Sequence, residues 1–172
     1  MSHLAQERTY GLAIVWAFVA STFFFNRYAT INWAAVYVAP AFLAQALLFG
    51  FLATGRGVGP IGFHSSIAGR IALGVFVFSL VGYPLTAVLV GRPLAAAEFF
   101  AIAPDPTVVA TLAILSTARS AVVLLASVVP LLWAVVTALT LWTLGSLDFG
   151  IATLSALLCG AAWLIGRTNP SR

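Results

Sequence analysis

Two carboxylates and a guanidinium lie close together in the segment RPLAAAEFFAIAPDPT, residues 92–107. Glu98 and Asp105 are seven residues apart, and Arg92 precedes them. Carboxyl groups act as general acids and bases, and arginine binds phosphate through paired hydrogen bonds. These residue types are therefore compatible with proton transfer or lipid-modifying chemistry, and their environment decides between such chemistry and a structural role.

The composition places these groups in a membrane protein. Of 172 residues, 62% are hydrophobic and 7% are charged, whereas about 25% of residues in an average soluble domain are charged. A pI of ≈ 10.0 is compatible with nucleic-acid binding, but the basic residues are all arginines that lie singly between apolar runs. Such arginines are typical of anchors that flank membrane helices, so we predict contact with a lipid bilayer and no nucleic-acid partner.

Five apolar stretches are long enough to cross a hydrocarbon core about 30 Å thick. A sixth, residues 106–118, covers only about 20 Å as a helix, so its length leaves open either a full crossing or a re-entrant half-helix. The sequence predicts one all-α membrane domain over residues 1–172, with spans at 10–25, 33–53, 71–90, 106–118, 121–144 and 149–165.

The arginines favour a crossing by the sixth segment. With six spans, six arginines collect on one side, and Arg27 and Arg92 lie on the other side with Glu98, Asp105 and Asp148. Without that crossing the arginines divide three against five, which is hardly a bias. Because positive charge gathers in the cytoplasm, the sequence predicts a polytopic transmembrane helix bundle of about six spans, with both termini inside.

The PDPT stretch has the features of a helix start. Asp105 is a good N-cap residue, and Pro106 suits the first helical position, where its missing N–H costs nothing. We therefore expect Asp105 to cap a helix at the outer membrane surface, and a ligand role can coexist with capping. No charged side chain is then expected at mid-depth, where Gln45 is the most polar group inside a span.

Prolines predict irregularities within three spans. Each leaves the carbonyl four residues earlier without its helical donor, and in a bilayer a neighbouring group or water must satisfy that carbonyl. The pairs are Pro40 with Val36, Pro84 with Leu80, and Pro130 with Ala126. These prolines either only bend the helices or open a pocket near the outer ends of the spans. The candidate polar groups at such a pocket form an outer polar cluster of Asn32, Tyr83, Arg92, Glu98 and Asp105.

Small residues recur every four positions in the last two spans. They are Ala152, Ala156 and Gly160 in the last span, and Ala126, Ala134 and Ala138 in the fifth. Such rows let membrane helices approach closely. We predict that these faces lie inside the bundle or at a contact with a membrane-protein partner or a second copy.

Few residues are suited to hold a cofactor or metal. The single cysteine, Cys159, excludes an intramolecular disulfide, and His3 and His64 are predicted in a tail and a loop, away from paired haem positions. We therefore expect no metal, no cofactor and no catalytic residue of a known motif. A quinone-type slot lined by Tyr83 and tryptophans leaves little trace in a sequence and stays open.

Several strings resemble a bacterial multi-pass membrane protein family of unknown function, the domain of unknown function 6064 family. They are RYATINWAA, GYPL, GRPLAAAEFFAIAPDPT, PLLW and TLWTLG. Members of that family often have glycine at the position of Ala101, which implies a stiffer turn here. They also begin with a further hydrophobic segment that this chain is expected to lack. The resemblance implies a setting in the bacterial inner membrane and no reaction.

The favoured function is therefore non-enzymatic. We expect an integral membrane protein that either scaffolds a partner or passes a small, weakly polar solute. The alternatives are an intramembrane or lipid-modifying enzyme that uses Glu98 or Asp105 as acid or base with Arg92 on a phosphate, and a quinone-type cofactor-binding membrane subunit.

Overall fold

A computed structural model describes residues 3–30, 32–33, 35–54, 62–63, 65–118, 120–146 and 148–168. These residues form helices and turns without a strand, which confirms the predicted all-α class. The helices are α1, α-helical over His3–Val19 and π-helical over Ala20–Tyr28; α2, Ala35–Thr54; α3, α-helical over Ile67–Val77, π-helical over Phe78–Gly82 and α-helical over Tyr83–Leu89; α4, Pro104–Ser116; α5, Val122–Ala126 and Val128–Thr143; and α6, Phe149–Thr168.

Five helices, α1, α2, α3, α5 and α6, are long and apolar enough to cross a membrane. Only 22% to 39% of the most apolar window of each is buried, so most of the hydrophobic surface faces outward. Large side chains such as Leu47, Phe51 and Leu89 are at least three-quarters exposed. Because water-soluble monomers rarely expose such extended apolar surface, this arrangement indicates a membrane protein.

The short helix α4 occupies the centre of the bundle. It contacts α1, α3, α5 and α6, and eleven of its thirteen residues are buried. Its length, about 20 Å at 1.5 Å per residue, is less than a bilayer core requires. The sixth apolar segment is therefore an internal helix covered by its neighbours, displaced by two residues from the predicted 106–118.

The carbonyl released by Pro130 is satisfied from a neighbouring helix. The amide nitrogen of Gln45 in α2 donates to the Ala126 carbonyl oxygen at 2.9 Å, and Gln45 is 1% exposed. The α-helical segments of α5 are interrupted at Ser127, three residues before Pro130. The expectation that a neighbouring group satisfies this carbonyl is thus confirmed, and the most polar residue of the spans supplies the donor.

The two rows of small residues differ in their surroundings. In α5, Ala126 and Ala134 are buried and Ala138 is half-buried, so this row packs toward the bundle interior. In α6 the row runs from buried Ala152 to exposed Gly160, where an added Cβ would meet no atom within 4 Å. The C-terminal end of the α6 row therefore lies on the surface of a single chain.

Ala101 adopts a left-handed backbone conformation with φ 67°, which costs a non-glycine residue roughly 1 kcal/mol. We expect Ala101→Gly to raise the free energy of unfolding by up to about 1 kcal/mol, because glycine adopts this conformation without that strain. Ala97→Gly is the matched control in the same loop, since Ala97 has φ −68° and should lose stability. Unfolding both variants in mixed detergent micelles measures the difference, and an equal loss in both contradicts the strain.

Candidate functional site

The loop between α3 and α4 folds back onto the first turn of α4. It leaves α3 through Gly91, whose φ is 78°, and forms a 3-10 turn over Leu94–Ala96. The Thr107 hydroxyl then joins the loop to the helix, because it accepts the Ala101 N–H at 3.0 Å and donates to the Ala103 carbonyl at 2.7 Å. These bonds fix the position of Glu98 and Asp105 relative to each other.

Asp105 does not cap α4, so the capping prediction is wrong. The N-cap residue is Ala103, and the helix begins at Pro104, whose fixed φ suits a first helical position. Asp105 is therefore already inside the first turn, and its carboxylate points sideways to α5. There Oδ1 accepts the indole N–H of Trp133 at 2.5 Å and the hydroxyl of Thr137 at 2.8 Å.

These contacts place a half-buried carboxylate against the neighbouring helix α5. Trp133 is the twelfth of the 22 residues in the span Val122–Thr143, so Asp105 lies beside the middle and the C-terminal half of α5. The sequence analysis expected no charged side chain beside the middle of a span, whereas Asp105 accepts a hydrogen bond from the twelfth residue of this one. The sequence did not predict this position because a helix-start pattern does not show how the preceding loop packs.

Aromatic packing orients the indole that binds Asp105. The Trp133 ring makes edge contacts with Phe24 and Phe42, with centroids 5.2 and 5.3 Å away. Phe42 also stacks on Trp16, whose indole N–H donates to the Thr111 hydroxyl of α4 at 2.9 Å. Helices α1 and α2 thus hold the Asp105 partner in place from the side opposite the loop.

Charged and phenolic groups surround Asp105. The Tyr83 hydroxyl of α3 lies within hydrogen-bonding reach of its carboxylate. Arg92 forms a 2.7 Å ion pair with Asp148, which precedes α6. Glu98 lies close enough to Arg92, Asp105 and Asp148 to interact electrostatically. We call these five residues, Tyr83, Arg92, Glu98, Asp105 and Asp148, the acidic cluster.

Four members of the predicted outer polar cluster meet in the acidic cluster, namely Tyr83, Arg92, Glu98 and Asp105. The fifth, Asn32, lies in the turn between α1 and α2, where its amide donates to the Tyr28 hydroxyl at 3.2 Å. Sequence reasoning did not assign a role to Asp148, Trp133 or Thr137. The sequence contained a signal for each of them. Asp148 was predicted on the same side of the membrane as Glu98 and Asp105, and Trp133 and Thr137 are four residues apart on one helix face.

The acidic cluster contains three carboxyl groups and one guanidinium. One Glu98 oxygen and one Asp148 oxygen are buried without a hydrogen-bond partner among the described residues. Burial, together with the nearby Asp105 and Asp148 carboxylates and against the opposing effect of Arg92, raises the pKa of the Glu98 carboxyl from 4.5 to about 7. The cluster therefore takes up a proton close to neutral pH.

The raised pKa of Glu98 makes the stability of the fold depend on pH. Its ordinary pKa is 4.5 and its folded-state pKa is about 7, so the folded protein binds the proton more tightly than the unfolded chain. The contribution of Glu98 to the free energy of unfolding is fully present below about pH 4.5 and is lost as the pH rises through about 7. Thermal unfolding in detergent between pH 4 and 8 should show this decline in the wild type and a weaker one in Glu98→Gln.

Glu7→Gln is the matched control for that measurement. The Glu7 side chain is 66% exposed at the start of α1, 3.9 Å from His3, so its replacement should leave the pH profile unchanged. Identical profiles for the wild type and Glu98→Gln would show that Glu98 titrates at its ordinary pKa in the folded state.

Within the described residues, no group of three or more histidine, cysteine, aspartate or glutamate side chains is arranged to hold a metal ion. Neither a curated protein nor a solved structure shows detectable similarity to the chain. The model of a family of unknown function, DUF6064, matches residues 2–167. With nearly its whole length matched, the chain belongs to the DUF6064 family.

Proposed function

We propose that this protein is a non-enzymatic, multi-pass protein of the bacterial inner membrane that passes a small solute in step with protonation of the acidic cluster. The single observation that carries the proposal is the Asp105 carboxylate, held beside the middle of α5 by Trp133 and Thr137. Ionisable groups at such depth are costly and mark pathways of ions or substrates.

The charge balance of the acidic cluster supports proton binding. Three ionised carboxylates beside one guanidinium leave an excess negative charge in a site of low polarity, and such an excess favours proton uptake. Arg92 pairs with Asp148, so Glu98 and Asp105 are the groups left to share a proton. A solute that enters from the outer side would meet these groups and Asn32 first.

A six-span layout with both termini in the cytoplasm agrees with the positions of the described arginines. Gln6 at the start of α1 donates to the Ala53 carbonyl at the end of α2 at 3.3 Å, so these two helix ends share one side of the bundle. The arginines at the start of α1, the start of α3 and the end of α6 belong to that side in this layout, whereas Arg27 and Arg92 belong to the other. The loop before α4 and α4 together then make the short crossing.

A reporter fused after Arg119, which lies outside the described residues, tests this layout. Cytoplasmic activity of the reporter is expected, because α4 then completes a crossing and the following link returns to the side of the N terminus. Periplasmic activity contradicts the layout and removes the outward orientation of the acidic cluster.

Proteoliposomes with a trapped pH indicator test proton-linked passage. On addition of the small-molecule fraction of a bacterial extract, the wild type should move protons faster than protein-free vesicles, and Asp105→Asn should abolish the difference. Glu7→Gln serves as the control and should retain the wild-type rate. Wild-type vesicles that behave like empty ones, or a fully active Asp105→Asn variant, contradict the proposal.

A scaffold role is the second candidate, and it is favoured by the exposed end of the small-residue row on α6. Gly160 has no neighbour within 4 Å of an added Cβ, so Gly160→Leu should not disturb a single chain. Loss of a copurifying membrane protein or of a homo-oligomer in this variant supports a scaffold. Unchanged assembly contradicts a contact at this face.

A further inference from the structure

A groove separates α3 and α6 on the outside of the bundle. Its volume is about 400 Å³, and apolar side chains such as Phe78, Leu154 and Leu158 line it, together with Arg70. Gly74 forms part of its wall, and an added Cβ there would meet no atom within 4 Å. The groove thus offers a concave apolar surface where the chain faces lipid.

One end of this helix pair carries positive charge. Arg70 lies in the first turns of α3, is exposed, and forms no ion pair with any residue that the structure describes. Arg167 lies in the last turn of α6, with its guanidinium carbon 4.6 Å from the centre of the Trp163 ring. The Ala68 Cβ lies 3.8 Å from the place a Gly166 Cβ would take, so both arginines belong to the same end of the pair.

The acidic side chains lie elsewhere in the fold and do not neutralise the positive charge of Arg70 and Arg167. Glu98, Asp105 and Asp148 belong to the acidic cluster, which lies beyond the opposite end of α3 and before the start of α6. Glu7 is on α1, where it lies beside His3. Positive charge at one end of an apolar groove complements a molecule with a negative head and a hydrocarbon tail.

We propose that this groove binds one anionic phospholipid, with an acyl chain between α3 and α6 and the phosphate at Arg70. Basic pockets between membrane helices on the cytoplasmic side recognise anionic head groups, and an arginine stem lies along apolar surface while its guanidinium reaches the head-group region. The guanidinium of Arg70 donates hydrogen bonds to phosphate oxygens. This site is independent of the acidic cluster and of proton-linked passage.

Native mass spectrometry of the purified protein with added phosphatidylglycerol or phosphatidylcholine tests the proposal. The wild type should retain phosphatidylglycerol in preference to phosphatidylcholine. Arg70→Gln should reduce that preference roughly fivefold, the contribution expected of one arginine near a head group. Gly74→Leu adds a side chain to the groove wall at a place where the Cβ meets no atom within 4 Å, and it should abolish the retention of either lipid at this site.

Two controls separate groove binding from general effects. Gly11→Leu adds the same side chain to an exposed position of α1 that also has no neighbour within 4 Å, and Arg27→Gln removes an exposed arginine at the end of α1. Both should bind lipid like the wild type, and all variants should unfold at similar temperatures. Equal retention of the two lipids by the wild type, or unchanged lipid binding by Gly74→Leu, overturns the proposal. Glycerol phosphate that competes with phosphatidylglycerol as well as the lipid itself also overturns it, because the site then binds phosphate without an acyl chain.

Discussion

Asp105→Ala is expected to destabilise the protein by about 3 kcal/mol, because it leaves a half-buried indole N–H and the buried hydroxyl groups beside it without their acceptor. The Trp133 indole and the Thr137 hydroxyl both donate to Oδ1 of Asp105, and the Tyr83 hydroxyl is also within reach. Each buried donor without a partner costs about 1 to 3 kcal/mol. Unfolding of the purified protein in mixed micelles measures the loss.

Asp105→Asn separates the charge of this residue from its hydrogen bonds. The amide oxygen still accepts a hydrogen bond at the place of Oδ1, so we expect a loss of only about 1 kcal/mol. The negative charge that raises the pKa of Glu98 disappears with the substitution. The pH range over which stability declines should therefore move below that of the wild type.

Comparison of the two Asp105 variants distinguishes the role of the negative charge from that of the hydrogen bonds. If Asp105→Asn is as unstable as Asp105→Ala, the ionised carboxylate itself stabilises the bundle, and a freely exchanging proton at this position is contradicted. If Asp105→Asn is stable but leaves the Glu98 pH range unchanged, the two carboxyl groups do not share a proton. Only a stable variant with a lowered pH range agrees with the proposed site.

The sequence predicted the helices well because a membrane imposes a simple requirement. Long uncharged stretches must form helices to satisfy their backbone groups, and the five long spans follow from that requirement alone. The observed α3, Ile67–Leu89, begins four residues before the predicted 71–90 because the Ser66 hydroxyl caps it by accepting the Gly69 N–H at 3.1 Å, and the first turn then includes Arg70. Boundaries outside the hydrocarbon region are not fixed by hydrophobicity.

The position of Asp105 beside the middle of α5 could not be predicted from the sequence. A PDPT stretch predicts a helix start, and the helix does begin there, but the pattern contains no information about how the preceding loop packs. That packing depends on the Thr107 bonds to the loop and on the turn at Ala101. Local patterns therefore identified four residues of the acidic cluster, whereas tertiary contacts added Asp148 to it and supplied Trp133 and Thr137 as the donors to Asp105.

Gln45→Leu is expected to cost about 1 to 2 kcal/mol in the wild-type background. The substitution removes the donor to the Ala126 carbonyl, which Pro130 leaves without a helical partner. Mutational values for a single hydrogen bond between membrane helices average about 0.6 kcal/mol. We expect a larger loss here because the backbone carbonyl at this position has no intrahelical alternative.

Pro130→Ala tests that explanation, because it restores an N–H four residues after Ala126. Once α5 supplies its own donor, Gln45 contributes less, so Gln45→Leu should cost roughly 1 kcal/mol less in the Pro130→Ala background than in the wild type. Gln6→Leu is the matched control, since Gln6 donates to the Ala53 carbonyl at another helix end and should be additive with Pro130→Ala. If the stability losses of Gln45→Leu and Pro130→Ala are fully additive, Gln45 stabilises the bundle through packing. The explanation that Gln45 replaces the helical donor missing at Pro130 is then contradicted.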